Sequence, residues 1–224
     1  MIIAIEGIDG VGKTTLARAL ATKIGAFYLK FPDRETVSGK AIDRALRREQ
    51  DGRPIEQLPP AAMQALQFVN RMEKRHLLTL AEKSTTRHVV CDRYTMSGLV
   101  YGMSDGLPID WLIDMSLGTE PDADLQILLV ADPEMIDRER LAGRDREIYE
   151  NRGIAGLSAQ STEFECLWRA GYAMDPDIWR TFPVGERTPL ELVETVAGII
   201  AERAEQLRKA LQRYTFEILK KRPM

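Results

Sequence analysis

The sequence predicts an α/β fold in which a parallel five-stranded sheet is covered by helices on both faces. Short runs of apolar, often β-branched residues alternate along the chain with segments whose apolar residues recur at helical spacing. A glycine-rich turn at residues 7–12 joins the first apolar run to the first helical segment. Strands that alternate with helices form parallel sheets, and ligands bind at the carboxyl edge of such sheets.

The predicted elements follow one another along the whole chain. Strands are predicted at residues 1–5, 26–31, 88–91, 124–130 and 179–182. Helices are predicted at residues 14–24, 36–49, 61–82, 95–103, 109–118, 133–141, 161–173 and 189–220. Asp132 is the predicted N-cap of one helix, with Pro133 in its first turn. Because the sequence shows no repeat or linker, we expect a single domain over residues 1–224.

The helix predicted at residues 61–82 follows a polar loop that contains several prolines, residues 51–60. Its apolar positions Ala62, Leu66 and Val69 recur at helical spacing. We expect this side of the helix to pack on the core.

The composition limits the classes of function. The chain has 224 residues, is 44% hydrophobic and 29% charged, and carries a net charge of -3. This length is enough for one well-buried core. The slightly acidic balance gives no support for a broad nucleic-acid-binding surface, so we expect no nucleic-acid partner.

The cysteine and apolar patterns indicate the compartment. Cys91 and Cys166 are the two cysteines, which form neither a disulfide framework nor a C-x-x-C metal pattern. With two histidines, the sequence also gives no support for zinc. The chain starts in a predicted core strand, and no apolar run reaches the length of a membrane span. We therefore expect a cytoplasmic protein without a membrane partner.

The glycine-rich turn fits the phosphate-binding pattern G-x-x-x-x-G-K-[ST] without a mismatch. Glycines allow the backbone to bend so that successive N–H groups point at phosphate oxygens, and the following helix N-terminus adds partial positive charge. Lys13 adds a full charge, and the Thr14 hydroxyl is a ligand for Mg²⁺. The predicted nucleotide-binding residues of this P-loop are Gly7, Asp9, Gly10, Val11, Gly12, Lys13, Thr14 and Thr15.

A second group of charged residues follows the strand predicted at 88–91. Asp92 at a strand end beside a P-loop can hold Mg²⁺ through its waters, and Arg93 can reach phosphate with a planar fork of donors. The alternative is a salt bridge at the surface. The position beside the P-loop favours the phosphate site.

These motifs together resemble the thymidylate kinase family of P-loop nucleoside monophosphate kinases. The resemblance rests on the P-loop and on Asp92-Arg93-Tyr94, and it runs from residue 1 to about residue 200. The other matching segments are Ser97-Gly98 with Tyr101, residues 31–36 with Gly39-Lys40, Asn70-Arg71, and residues 146–151. The resemblance implies transfer of the γ-phosphate of ATP, with Mg²⁺, to dTMP, giving dTDP.

The resemblance also assigns roles to individual residues. Lys13 and the loop N–H groups would hold the donor phosphates, and Arg93 would lie between donor and acceptor phosphates. Arg34 and Arg71 would bind the acceptor phosphate, and Asp9 would meet the 3′-hydroxyl of the acceptor sugar.

An arginine-rich segment near residues 138–153 is the predicted lid. In the family, a P-loop without arginine usually accompanies catalytic arginines in the lid, and Gly10 stands where some relatives have arginine. Arg144 and Arg146 are therefore the predicted catalytic arginines. The alternative is a solvated, salt-bridged helix end. Outside the P-loop, the predicted ATP-binding residues are Arg140 and Val184.

Recognition of the base departs from the family pattern. The family usually stacks an aromatic residue on thymine, four residues before the helix arginine, and this position is Gln67. Phe68, the next residue, can either stack on the base or belong to the core, and Gln67 can instead hydrogen-bond a base substituent. A modified or different pyrimidine monophosphate is therefore an alternative acceptor. The remaining predicted acceptor-binding residues are Phe31, Ser97, Gly98, Tyr101 and Tyr149.

Two further expectations concern assembly and a rival class of function. Family members usually dimerise, so we expect a homodimer formed by the helix around residues 64–75 and the segment around Trp111.

The rival is a P-loop regulatory ATPase that acts on a partner. That reading predicts slow hydrolysis without an acceptor and leaves the segment at Asp92 and the arginine-rich lid unexplained.

Overall fold

Parallel strands form the central sheet of the molecule. The computed structural model of the chain describes residues 1–47, 49–50, 53–54, 57–82, 84, 86–117, 120–138 and 152–220. Its strands are β1 (Ile2–Glu6), β2 (Phe27–Lys30), β3 (Glu49–Gln50), β4 (Arg53–Pro54), β5 (Val89–Asp92), β6 (Leu125–Val130) and β7 (Trp179–Pro183). The five-stranded sheet has the order β2-β5-β1-β6-β7, and all its neighbouring strands are parallel. β3 and β4 form a separate antiparallel pair.

Helices connect these strands and cover the sheet. They are α1 (Lys13–Ile24), α2 (Val37–Leu46), α3 (Pro60–Glu73), α4 (Arg75–Glu82), α5 (Thr95–Ser104), α6 (Ile109–Ser116), α7 (Pro133–Ile136), α8 (Gly153–Met174) and α9 (Pro189–Lys220). None of the helices among the described residues has the length and apolarity needed to cross a membrane.

The side chains of β1 show that both faces of the sheet are covered. Successive side chains of a strand point to opposite faces. Ile3 and Ile5 pack in a cluster completed by α1, α8 and α9, whereas Ile2 and Ala4 pack in a second cluster with residues of α4 and β5. Each fully buried isoleucine contributes about 1.5–3 kcal/mol of transfer free energy. The predicted α/β class with a parallel five-stranded sheet is confirmed.

The predicted packing face of α3 is wrong. Ala62 and Val69 are exposed, and Leu66 is only partly buried. The buried residues of α3 are instead Met63, Gln64, Phe68, Asn70 and Arg71. Apolar spacing identifies one face of a helix, but it does not tell which face the fold covers. Here the covered face carries polar side chains because it borders the cavity described below.

The boundaries of several elements also differ from those predicted. The helix predicted at 61–82 is divided at Lys74, whose N–H bonds the carbonyl oxygen of Arg71 at 3.0 Å while α4 begins at the next residue. The predicted loop at 51–60 contains part of the small antiparallel pair and the first residue of α3. Such two-residue strands leave no apolar alternation to read.

The helix predicted at 161–173 begins eight residues earlier, at Gly153. Glycine is a poor helix former, so the sequence does not indicate a helix where Gly153 and Gly156 occur. Gly156 faces Arg152, and a Cβ atom there would lie 2.3 Å from the Cβ of Arg152. The predicted N-cap of α7 is confirmed, since the Asp132 carboxylate accepts a bond from the N–H of Glu134 at 2.9 Å.

Candidate active site

The P-loop lies at the carboxyl end of β1 and leads into α1. Gly7 has φ 136°, and a Cβ atom there would lie 2.5 Å from the carbonyl oxygen of Leu129. Gly12, with φ 102°, caps the N-terminus of α1. Both conformations favour glycine, which is why the loop can fold back towards the helix. The loop therefore brings backbone N–H groups and the positive end of the α1 dipole to one point.

Lys13 is buried at this point. Its Nζ atom donates to the carbonyl oxygen of Ile8 at 2.6 Å. Burial lowers the pKa of Lys13 to about 7, and repulsion from Arg93 adds to this, against the attraction of Asp9 and Asp92. Before any anion binds, the lysine is thus poised between its charged and neutral forms near neutral pH.

Asp92, at the end of β5, is joined to the P-loop. The Thr14 hydroxyl donates to its carboxylate at 2.5 Å, and the Tyr28 hydroxyl donates to the same oxygen at 3.1 Å. Hydroxyl and carboxylate oxygens are the ligand types that Mg²⁺ prefers. Within the described part of the chain, no group of three or more His, Cys, Asp or Glu could hold a metal. The pair fits a Mg²⁺ ion that takes its other ligands from phosphates and water.

Arg93 bridges the end of β5 and the P-loop. It has φ 69°, forms an ion pair with Asp9, and donates to the Ser97 hydroxyl at 3.2 Å. The Tyr101 hydroxyl donates to the other Asp9 oxygen at 2.5 Å, and its ring lies 5.1 Å below the guanidinium carbon of Arg93. The alternative of a surface salt bridge between Asp92 and Arg93 is not what the structure shows.

These contacts determine the protonation states of Asp9 and Tyr101. Burial acts to raise the pKa of Asp9, but the nearby charges of Arg93 and Lys13 outweigh it, so the pKa lies below its usual value. Burial raises the pKa of Tyr101 well above its usual value. Asp9 is therefore ionised and Tyr101 is a neutral donor at neutral pH.

A cavity of about 900 Å³ connects the P-loop with α3 and α5. Its volume is in the range of sites for small molecules. It brings together most of the residues that the sequence predicted for nucleotide binding. Those on its wall are Asp9, Gly10, Gly12, Lys13, Thr14, Thr15, Phe31, Arg34, Gln67, Arg71, Asp92, Arg93, Ser97, Gly98 and Tyr101.

A family model described as thymidylate kinase matches residues 5–157, more than half of the chain. The chain belongs to the thymidylate kinase family. The predicted family and the predicted enzyme class, a nucleoside monophosphate kinase, are thereby confirmed.

Similar proteins occur in archaea, animals and fungi. A probable thymidylate kinase of Methanococcus maripaludis strain C7 is 35% identical over 148 residues, which cover 66% of this chain and 68% of that protein. The thymidylate kinase of Caenorhabditis elegans is 29% identical over 160 residues, covering 65% and 70%. The solved structure of Candida albicans thymidylate kinase superposes with a TM-score of 0.74 at 28% identity, covering 91% of this chain and 92% of that one.

Asn70 joins α3 to the segment that follows β2. It accepts a bond from the N–H of Asp33 at 2.7 Å and donates to the Thr36 and Ser38 hydroxyls at 2.8 and 3.1 Å. The segment after β2 is thereby fixed to α3. That segment carries Arg34, which pairs with the Asp43 carboxylate at 2.8 Å. Arg34 and Arg71, which the sequence predicts to bind the acceptor phosphate, thus lie on two elements that Asn70 joins.

The residues predicted to recognise the base occupy different surroundings. Gln64 and Gln67 line the cavity, whereas Phe68 is 1% exposed and is not among the described residues that line it. The guanidinium carbon of Arg71 lies 4.9 Å from the centre of the Phe68 ring. Of the two possibilities for Phe68, this position favours the core. The face turned to the cavity is a pair of carboxamides.

Some predicted residues cannot be placed in the site. Arg140, Arg144, Arg146 and Tyr149 lie outside the described residues, as does most of the predicted lid, and their roles stay predictions. Val184 is described; its N–H bonds the carbonyl oxygen of Val130 at 2.7 Å. Val11 is buried in the core, and neither Val11 nor Val184 is among the described residues lining the cavity.

Glu6 is the main buried polar residue that the sequence reasoning missed. Its carboxylate accepts bonds from the N–H of Tyr94 at 2.8 Å, the N–H of Ser97 at 3.2 Å and the Ser97 hydroxyl at 2.5 Å. It therefore caps α5 from β1 and orients the serine that contacts Arg93. Burial raises the pKa of Glu6, against the hydrogen bonds from Ser97. A glutamate before the P-loop was the available signal, but nothing in the sequence shows its partners.

Replacing Glu6 by glutamine should destabilise the folded chain. The variant Glu6→Gln keeps the size of the side chain but turns one acceptor into a donor that faces other donors. We expect urea unfolding to show a loss of about 1–3 kcal/mol. Glu191→Gln is the matched control, because that exposed glutamate also caps a helix, accepting from the N–H of Thr188 at 2.8 Å. Its loss should be below about 0.5 kcal/mol, and equal losses in both variants would contradict the assigned role of Glu6.

Proposed function

We propose that this chain transfers the γ-phosphate of ATP to dTMP, giving dTDP, with Mg²⁺ as cofactor. The observation that carries the proposal is a cavity that runs, among the described residues, from the P-loop lysine past Arg93 to Arg71. Donor and acceptor phosphates bound at its two ends would meet at Arg93. A regulatory ATPase has no use for the acceptor end of this cavity.

Catalysis by this site rests on positioning and on charge neutralisation. Lys13 and the P-loop N–H groups hold the donor phosphates, and Arg93 neutralises charge on the phosphoryl group in transfer. Arg34 and Arg71 bind the phosphate of the acceptor. When held at Thr14 and Asp92, Mg²⁺ supplies further neutralisation of the donor phosphates.

The P-loop aspartate places the acceptor sugar. Asp9 is held by Arg93 and Tyr101 with both carboxylate oxygens engaged, so its position is fixed before substrate binds. Its carboxylate accepts a hydrogen bond from the 3′-hydroxyl of the acceptor. Tyr101, on the same wall, disfavours a 2′-hydroxyl sterically. These contacts select a deoxynucleotide, while the base is selected elsewhere in the cavity.

The predictions for the lid and for location are carried forward in this proposal. Arg144 and Arg146 act as arginine fingers on the transferring phosphate, which the absence of arginine at Gly10 favours. Arg140 and Val184 border the ATP, and Tyr149 borders the acceptor. The single-domain organisation, the cytoplasmic location and the absence of a nucleic-acid or membrane partner stay predictions.

A second acceptor is favoured by the carboxamides of α3. Gln64 is 1% exposed, and its Oε1 atom has no hydrogen-bond partner among the described residues. Gln67 stands at the position where the family usually has an aromatic ring. Such a wall can bind a polar substituent of a base, so a modified pyrimidine deoxynucleoside monophosphate is the alternative acceptor. The Candida albicans relative is itself described as having broad substrate specificity.

A coupled assay of ADP formation tests the function directly. With ATP and Mg²⁺, the panel is dTMP, dUMP, 5-hydroxymethyl-dUMP, dCMP, dGMP and dAMP. We expect rapid turnover with dTMP. Lys13→Ala should lower kcat by at least about 100-fold, since it removes a charge that contacts the donor phosphates.

The other outcomes of the panel are equally informative. A preference for 5-hydroxymethyl-dUMP would keep the mechanism and assign the substituent to Gln64 or Gln67. The absence of acceptor-dependent turnover with all six nucleotides would refute the kinase assignment and support the regulatory ATPase.

ATP binding should be accompanied by proton uptake at Lys13. With its pKa lowered to about 7, the free lysine is mostly neutral at pH 8.5, and a bound polyphosphate raises the pKa so that the amine becomes charged. Calorimetry in two buffers of different ionisation enthalpy should detect uptake approaching about one proton at pH 8.5. At pH 6 the lysine is already charged, so its uptake disappears. Equal uptake by Lys13→Met at pH 8.5 would contradict this mechanism.

We also propose a homodimer formed by α3, α4 and α6. Exposed apolar residues lie on these helices and directly after α6, and α3 contacts α6. They are Val69 at 44%, Met72 at 48%, Leu80 at 48%, Ile113 at 40% and Leu117 at 66% exposure. An apolar surface spread over adjoining helices indicates an interface with a partner.

Charges placed on this surface should dissociate the dimer. The double variant Met72→Glu with Ile113→Glu would bring like charges together in the interface. We expect its dimer dissociation constant, measured by sedimentation equilibrium, to rise at least about tenfold. Leu190→Glu is the matched control, because this leucine of α9 is 70% exposed but lies away from the proposed interface. An unchanged dissociation constant in the double variant would refute the location of the interface.

A further inference from the structure

Arg71 is a charged side chain in an almost fully buried position. Both Arg71 and Glu120 are 3% exposed, and they form an ion pair between Nε of the arginine and Oε2 of the glutamate. Moving an unpaired guanidinium out of water is strongly unfavourable, so the glutamate is what permits the arginine to stay buried. Glu120 lies on the segment that leads into β6, at a distance in sequence from any motif of the site.

Two other residues limit where the guanidinium can lie. Its central carbon is 4.9 Å from the centre of the Phe68 ring, within the range of a cation–π contact. A Cβ atom on Gly98 would lie 3.0 Å from Nη2 and 3.4 Å from Nη1 of Arg71. The guanidinium thus lies against the backbone of α5, so close that a side chain at Gly98 would press on it.

Arg71 borders the cavity, together with Gly98. Its Nη2 atom is buried and has no hydrogen-bond partner among the described residues. The contact with Glu120 is made by Nε, so it does not engage the two terminal nitrogens, the part of a guanidinium that binds anions in a planar fork.

We propose that Glu120 is a positioning residue that fixes the Arg71 guanidinium for the acceptor phosphate. The inference rests on the proposed function, since it takes the acceptor to be a nucleoside monophosphate. Glu120 touches no substrate; it acts through Arg71 by holding one edge of the guanidinium. Fixing the guanidinium before binding lowers the conformational entropy that is lost when the phosphate is bound. A glutamate that instead competed with the phosphate would weaken acceptor binding, so the two roles predict opposite effects.

The first experiment measures the position of Arg71 without any ligand. In the ¹H–¹⁵N spectrum, the Nε–H signal of Arg71 is assigned by its loss in Arg71→Met. In the natural chain, we expect the chemical shift of this signal to differ from those of the exposed arginines and its proton to exchange slowly with water. In Glu120→Gln the chemical shift of this signal should move to that of the exposed arginines, and its proton should exchange rapidly with water. An unchanged signal in this variant would overturn the proposal, whether or not the chain is a kinase.

The second experiment measures the consequence for the acceptor. Glu120→Gln should raise the KM for dTMP about tenfold and leave the KM for ATP within about twofold, because only acceptor binding depends on Arg71. Glu194→Gln, which removes an exposed partner of Lys23, is the control and should change neither constant. An unchanged or lower KM for dTMP, with the Nε–H signal displaced, would overturn the positioning role in favour of packing or competition.

A double-mutant cycle separates action through Arg71 from any other effect. In the Arg71→Met background, Glu120→Met should change the affinity for dTMP by less than about twofold, because the residue on which it acts is gone. Replacing both partners by apolar residues also removes the unpaired buried charge that can prevent folding. Binding is read by calorimetry, which needs no turnover, and folding by urea unfolding. A tenfold effect of Glu120→Met in this background would refute the proposal.

The two levels of failure can be told apart. If no member of the acceptor panel is phosphorylated and dTMP does not bind, the proposed function fails. The position of the Arg71 signal would still decide whether Glu120 fixes the arginine. If dTMP binds and is phosphorylated but the signal and KM do not respond to Glu120→Gln, the positioning role alone fails.

Discussion

The ion pair between Asp9 and Arg93 is the interaction on which the site depends. It joins the P-loop to the end of β5, so it fixes the position of Arg93 relative to the loop. Both groups are largely buried, and a buried charge needs a partner in the absence of ligand. The hydroxyls of Tyr101 and Ser97 complete the group. Without this pair, the positions of the Arg93 and Asp9 side chains relative to each other would not be fixed.

The same rule holds for other cations on the cavity wall. Three arginines there each have an acidic partner in the chain, although nucleotide phosphates are their expected ligands. The pairs are Arg93 with Asp9, Arg71 with Glu120, and Arg34 with Asp43. Binding of a phosphate therefore modifies existing pairs instead of neutralising bare charges. This limits the gain in affinity, but it allows a strongly charged cavity to exist in a stable fold.

The sequence predicted those parts of the fold that local patterns determine. The buried strand before the P-loop, the order of strands and helices, and the N-cap at Asp132 depend on residues close together in the chain. The face that α3 buries does not. Its burial depends on the cavity made with α5 and on the segment held by Asn70, which are contacts distant in sequence. For the same reason the sequence does not predict the roles of Glu6 and Glu120, since a single glutamate does not indicate which residue it will contact.

The register of α3 decides what the cavity offers to a base. Residues four apart on a helix share a face, whereas adjacent residues are rotated by about 100°. Gln67, four residues before Arg71, therefore faces the cavity with the arginine, and Phe68 is turned away into the core. The aromatic residue thus lies one position after the place where the family usually has it. The ring that could have stacked on a base supports the guanidinium instead, and a carboxamide takes its place on the cavity wall. Discrimination between bases must then come more from hydrogen bonds than from stacking, and a buried carboxamide left unpaired by the wrong base is a strong basis for rejection.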